Sequence, residues 1–207
     1  MKQVYIINEN HPQLLLFFAG WAADETPFKQ YRPKDMDYMI CYDYRTLDFD
    51  YSIFDRYRQV NVVAWSMGVW MGSLILSQVP RDKVFSLAFN GTTYPIDNLE
   101  GIPVKTFQAT LDGLTPATLQ KFLRRMCKDS NAYKAFMEVT PRRDFDEIKE
   151  ELRLILERYF DLFGDANNKS YDEEKEDKYQ TSKTITTNTT TPSSARTTGF
   201  SRPKTWR

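Results

Sequence analysis

Val62-Val63-Ala64-Trp65-Ser66-Met67-Gly68-Val69-Trp70 is the stretch on which the fold turns. An apolar, β-branched run enters it, and an apolar helical pattern (Val69, Trp70, Leu74, Ile75, Leu76) leaves it, continuing to Pro80, which stops the helix. Between the two the chain has about four residues in which to pass from strand to helix. Such a turn brings the residues two before and two after the serine close together, so small side chains are required there, and Ala64 and Gly68 supply them. This is the spacing of a nucleophile elbow, G-x-S-x-G, with Ala64 at the first glycine position. The geometry would push Ser66 out at the C-terminal edge of a sheet. There the Met67 N–H and the helix dipole can stabilise a developing oxyanion. Val84–Phe89 follows as another strand, which completes a βαβ unit.

Working outward, Val4–Ile7, Leu14–Phe18 and Tyr38–Tyr42 are further short apolar runs bounded by polar, Gly or Pro residues. Leu14–Phe18 and Val60–Ala64 show little polar alternation, as expected of central parallel strands covered on both faces. Residues 1–93 therefore read as an α/β core. Phe17-Phe18-Ala19-Gly20-Trp21 leaves its strand through a glycine that permits close backbone approach, which makes the Trp21 N–H the candidate second oxyanion donor. Residues 94–163 read as a helical cap: Thr115–Lys128, Asn131–Val139 and Asp144–Phe163, the last with Phe145, Ile148, Leu152, Ile155, Leu156 and Tyr159 at helical spacing. Residues 164–207 are polar, with ten threonines between 181 and 207, and are expected to be disordered.

Composition removes whole classes of function. The 207 residues carry 28 Lys+Arg against 28 Asp+Glu, which argues against a generally basic nucleic-acid binder. Cys41 and Cys127 are too few and too far apart for a disulfide framework or a four-ligand zinc site. With no recognisable signal peptide they fit a reducing cytoplasm. The longest apolar run, Leu14 to Ala19, is too short to cross a bilayer. No phosphate loop, metal cluster or cofactor motif is found, so neither metal nor cofactor is expected. Asp43-Tyr44-Arg45 and Asp48-Phe49-Asp50 read as a solvated loop.

Several short stretches together resemble the BioG group of small α/β-hydrolases, which are similar to the BioH esterases. They are Phe17–Trp21, Ala64–Trp70, Asn90-Gly91-Thr92-x-Tyr94-Pro95, Gly101-Ile102-Pro103 and Leu123-Arg124-Arg125-Met126-Cys127. The resemblance runs from about Val4 to Phe160. It implies an α/β-hydrolase-like, mostly parallel sheet with an inserted helical cap. It also implies a carboxylesterase that hydrolyses the methyl ester of pimeloyl-acyl-carrier protein on the way to biotin, with Ser66 as nucleophile and the Trp21 and Met67 N–H groups as oxyanion hole. Trp21 and Trp65 flank the elbow, and Trp65 and Tyr94 are candidates for an acyl pocket. Lys121, Arg124, Arg125 and Lys128 recur at i, i+3, i+4 and i+7 and are candidates for docking the acidic carrier protein, with Arg142 and Arg143 as an extension of the patch, while Phe122, Met126 and Leu119 would point into the cap. No nucleic-acid or membrane partner is expected.

The base and acid of a serine hydrolase have no counterparts. The single histidine, His11, precedes the Leu14–Phe18 strand and so belongs at the opposite sheet edge, roughly 20 Å from Ser66 at ~3.3 Å per residue. Acid and base stay unassigned, the late strands of the fold are expected to be missing, and turnover should be impaired. Two explanations stand side by side: a frameshift near 165–180, since Tyr and His codons read out of phase yield threonine, or a genuine extension on a degenerate hydrolase. The second functional reading is a non-catalytic binder of carrier protein or acyl chain.

Overall fold

The computed structural model describes residues 1–164; the expectations of disorder, missing strands and a frameshift after that point lie outside the described residues. The apolar runs all become strands: β1 (Lys2–Ile7), β2 (Gln13–Phe18), β3 (Asp37–Tyr42), β4 (Gln59–Trp65) and β5 (Val84–Phe89). They form one sheet in the order β1-β3-β2-β4-β5, parallel except for β1, which runs antiparallel to β3. The register sets Phe18 beside Ala64 and Ala64 beside Ala88, so the C-terminal ends of β2, β4 and β5 line up along one edge.

Helix α1 is a single turn, Ile53–Arg56, and α2 (Met67–Leu76) follows β4 directly. After β5 come α3 (Val104–Asp112), α4 (Pro116–Met126), α5 (Ser130–Glu138) and α6 (Phe145–Phe163). Side chains alternate across the sheet. Leu14, Leu16 and Phe18 enter one cluster with Trp70 and Ile75 of α2, Phe107 of α3 and Ile148, Leu152, Ile155 and Tyr159 of α6. Phe17 and Ala19 enter a second cluster with Tyr38, Ile40 and Tyr42. Each fully buried Leu, Ile or Phe contributes roughly 1.5–3 kcal/mol, so α6, with Ile155 and Leu152 at its centre, is part of what holds the sheet. Asp144 caps α6 by accepting from the Asp146 N–H, and Gly164 ends it at φ 77°.

Besides the single turn of α1, α3 is the helix the sequence reading did not assign. Only Val104, Phe107 and Leu111 are apolar and buried on it, and they are separated by polar residues that blur the period. β5 lies at the sheet edge; its Phe85, Leu87 and Phe89 side chains are 60%, 55% and 42% exposed. No described helix is long and apolar enough to cross a membrane.

At the N-terminal edge of the sheet, Asp37 is fully buried and accepts from Tyr57 Oη (2.7 Å) and the Glu9 N–H (2.9 Å), with His11 Nδ1 at 3.0 Å. Burial alone would push this carboxyl up, but these partners outweigh it and hold it at about 2. A carboxyl held below its ordinary value stabilises the fold above the unfolded pKa, and that contribution is lost as pH falls from about 4 toward 2. Asp37→Asn should therefore lose roughly 2 kcal/mol at pH 7 and much less at pH 2.5, measured by urea denaturation across pH; a deficit independent of pH would refute the assignment.

Candidate active site

The turn between β4 and α2 has the strain its sequence demands. Ser66 sits at φ 56°, ψ −127°, a conformation that costs a non-glycine residue about 1–3 kcal/mol and persists only where the surroundings impose it. Four neighbours do so. Its N–H donates to the Phe89 carbonyl (3.2 Å) at the end of β5, and its own carbonyl accepts from the Val69 N–H (3.0 Å). A Cβ on Gly91 would lie 2.3 Å from that same Ser66 carbonyl oxygen, and a Cβ on Gly68 would lie 2.2 Å from the Phe18 carbonyl oxygen. The bend therefore closes only because both positions lack a side chain.

The glycine–tryptophan pair after β2 arrives beside this bend. A Cβ on Gly20 would stand 3.2 Å from Ser66 Cβ, so the two strand ends present their turns to one another. Among the described residues neither the Trp21 N–H nor the Met67 N–H donates to a protein acceptor. Met67 is the first residue of the ten-residue α2, so its N–H points out of the positive end of the helix dipole. Two free main-chain donors thus belong to the two turns that meet at a half-buried hydroxyl.

Among the described residues no proton acceptor is part of this arrangement. The Ser66 hydroxyl makes no hydrogen bond among the described residues, and His11 is bound to Asp37 at the far end of β2 and β3. The other predicted residues fall in several places. Trp65 packs beside Gly20 and Phe28, whereas Tyr94 packs on Phe163 at the end of α6. Phe122 lies against Trp21 with ring centroids 5.3 Å apart and remains 37% exposed; with Met126 also exposed, only Leu119 of that trio points inward as expected. The basic row is shorter than its spacing suggested. α4 ends at Met126 and Cys127 is extended, so Lys128 is off the helix. Arg124 is engaged in packing α4 on α5, donating to Ser130 Oγ (3.1 Å) and stacking over Tyr133. Lys121 and Arg125 remain exposed.

The loop after β3 departs most from expectation. Asp43 is buried, not solvated, and pairs with Arg45 (2.7 Å), Arg143 (3.1 Å) and Lys2 (3.3 Å). Burial would raise its carboxyl, but these cations hold it at about 2. Arg143, expected to extend the docking patch, has its side chain buried instead: it also binds Glu151 Oε2 at 2.7 Å, and Glu151 accepts from the Tyr44 N–H (2.7 Å) and the Ala22 N–H (3.4 Å). Burial pushes the Glu151 carboxyl up, opposed in part by Arg143 and the Tyr44 N–H. Glu151 occupies the apolar stripe of α6, between Ile148 and Ile155; a carboxylate on a buried stripe was the signal available in the sequence.

The model of the family described as BioG, pimeloyl-ACP methyl esterase, matches residues 1–167. The chain belongs to the BioG family. A crystal structure of BioG from Haemophilus influenzae is similar with a TM-score of 0.71 and 35% identity, over 78% of this chain and 73% of that one. An uncharacterized protein of Haemophilus influenzae is 39% identical over 143 residues, 69% of this chain and 65% of the relative. A protein of Bacteroides fragilis (strain 638R) named malonyl-[acyl-carrier protein] O-methyltransferase is 50% identical over 150 residues; the match takes in 72% of this chain and 31% of that protein. The quinolone ring-cleaving AqDC, 14% identical with a TM-score of 0.50, shares the fold alone.

This BioG-family chain thus has an α/β-hydrolase-like fold, and one expectation is corrected. The 50% identical relative is named for a methylating activity, not an ester-hydrolysing one, which overturns the carboxylesterase reading drawn from resemblance.

Proposed function

We propose that this BioG-family enzyme acts on acyl chains borne by acyl-carrier protein, and that its described residues supply recognition of the methylated carboxyl end of the acyl group. What carries the reading is the pair of unpartnered N–H groups at Trp21 and Met67 on either side of Ser66. They suit a carbonyl oxygen held still, with Ser66 Oγ at its side. The family name and the Bacteroides name support the choice of ligand, because a carrier-borne dicarboxylic acyl group and its methyl ester are common to both. Trp65, beside Gly20, and Tyr94 are assigned to the walls of the acyl site. The residues around 94–163 serve as its cap. Two free thiols, Cys41 and Cys127, support a reducing compartment as the setting.

Titration calorimetry with acyl-carrier protein bearing a methyl malonyl or methyl pimeloyl group tests this. Two main-chain hydrogen bonds at about 0.5–1.5 kcal/mol each predict roughly tenfold tighter binding than carrier bearing only its phosphopantetheine. Equal affinities would refute the proposal.

Lys121 and Arg125 are the exposed cations of α4, with Arg124 and Lys128 beside them in a supporting role. Carrier protein is acidic, so Lys121→Glu with Arg125→Glu should weaken carrier binding about tenfold at low salt and spare the free methyl ester. Parallel losses on both ligands would place docking elsewhere.

A further inference from the structure

The segment from Ala19 to Asp24 carries the Trp21 donor, and most of what fixes it comes from far along the chain. Its one internal main-chain bond is Ala23 N–H to the Gly20 carbonyl at 3.3 Å, and Ala22 sits at φ 65°. Its ends are tied nearby, Ala19 by its N–H to the Cys41 carbonyl (2.9 Å) and by Tyr44 Oη to its carbonyl (2.6 Å), and Asp24 by the Thr26 N–H (2.7 Å); between them, four contacts come from α6 and the turn before it. The Trp21 indole Nε1 donates to the Ile148 carbonyl (3.0 Å), and the Ala22 N–H to Glu151 Oε2 (3.4 Å). Arg143 Nη1 donates to the Ala23 carbonyl (3.4 Å), and the Arg142 N–H to Asp24 Oδ2 (2.6 Å). Two of these groups also reach the loop after β3: Glu151 through the Tyr44 N–H (2.7 Å) and Arg143 through Asp43 (3.1 Å), and only Glu151 accepts a main-chain N–H from both segments.

We propose that Glu151, held by Arg143, is a positioning residue that sets the Trp21 main-chain donor against Ser66 from helix α6. The inference rests on the recognition reading above. A carboxylate presents acceptors on both oxygens, so one side chain can order the Ala22 and Tyr44 N–H groups together. The isosteric amide must turn an NH₂ toward one of them and lose that bond. Ala22 follows Trp21 directly, so releasing it frees the donor to drift, and a displacement of about 1 Å is enough to spoil alignment on a carbonyl.

The test compares two ligands: carrier protein bearing a methyl ester, and carrier bearing the methyl ether of the same length, which lacks the carbonyl. The wild-type chain should prefer the ester roughly tenfold, and Glu151→Gln should reduce that ratio to within about twofold while keeping its affinity for the ether. Parallel weakening of both ligands at a constant ratio would mean that Glu151 only maintains the fold, and would overturn the positioning role alone. A wild-type chain with no ester preference would overturn the recognition reading, and the positioning role with it. Should Glu151→Gln fail to fold, Trp21→Phe removes the indole bond to Ile148 and part of the ring against Phe122 while leaving the Glu151 bonds in place; a retained ester preference there supports Glu151 as what sets the donor, and a lost one overturns it.

Discussion

Gly68→Ala is expected to destabilise the protein by about 3 kcal/mol, a fall of roughly 10 °C in Tm for a chain of this size. The added Cβ would meet the Phe18 carbonyl oxygen at 2.2 Å and the Ala19 carbonyl oxygen at 2.5 Å. Both are main-chain atoms at the end of a central, buried strand, so no rotamer change relieves them; β2 and α2 must separate by about 1 Å. Gly72, one turn further along α2, is the internal control. A Cβ there meets Phe18 ring atoms at 3.1–3.2 Å, which a side chain can yield, and replacing a mid-helix glycine by alanine gains about 0.8–1 kcal/mol of helix propensity. Gly72→Ala should be close to neutral. Thermal denaturation of the two variants decides the matter: equal losses would show that backbone contact is not what fixes Gly68. The Gly68 variant should also lose ester recognition, because the strand it displaces runs straight into Gly20 and Trp21.

What was legible in the sequence follows the range of the forces involved. The strands were legible because burial on both sheet faces leaves uninterrupted apolar runs, and the observed β2, β4 and β5 begin and end within about one residue of those runs. The elbow was legible because its strain is relieved by residues two positions away, Ala64 and Gly68, inside the window a motif can see. α3 was missed because three apolar residues suffice to dock a short helix, and three do not make a period. The basic row was over-read for the converse reason: helical spacing continues on paper past Met126, where the backbone has already turned to φ −93°, ψ 134° at Cys127.

The charged network was the least legible part of the site. Asp43 lies in a stretch of alternating acidic and aromatic residues, which reads as a solvated loop. What buries it is Arg143, one hundred positions later, and no local pattern reports a contact of that span. Ala22 and Tyr44 meet Glu151 across separations of 129 and 107 residues. Only Glu151 left a trace, as the one carboxylate on the buried face of α6.

Arg143→Met should cost about 3–5 kcal/mol at pH 7, the largest loss expected from any single side chain here. The Arg143 side chain is only 3% exposed and lies between two carboxylates, Asp43 and Glu151, that are themselves buried. Its stem also places the guanidinium over the Tyr42 ring. Methionine fills the stem's space and leaves both anions without their shared cation. Asp43 keeps Arg45 and Lys2, so the damage falls on Glu151, which is left with two main-chain N–H groups. The sign with pH follows from that carboxyl. Burial already pushes it above its unfolded value, and losing Arg143 pushes it further. A folded state that binds the proton more tightly than the unfolded one loses stability as pH rises, so the deficit should shrink as pH falls and Glu151 becomes neutral. Urea denaturation at pH 5 and pH 8 would measure it, with the larger loss at pH 8. Adding Glu151→Leu to Arg143→Met should restore much of the stability, since an apolar pair of similar volume replaces a buried ion pair at little cost. The double variant should nevertheless fail to prefer ester over ether, because what it recovers is packing and what it lacks is the acceptor that orders Ala22.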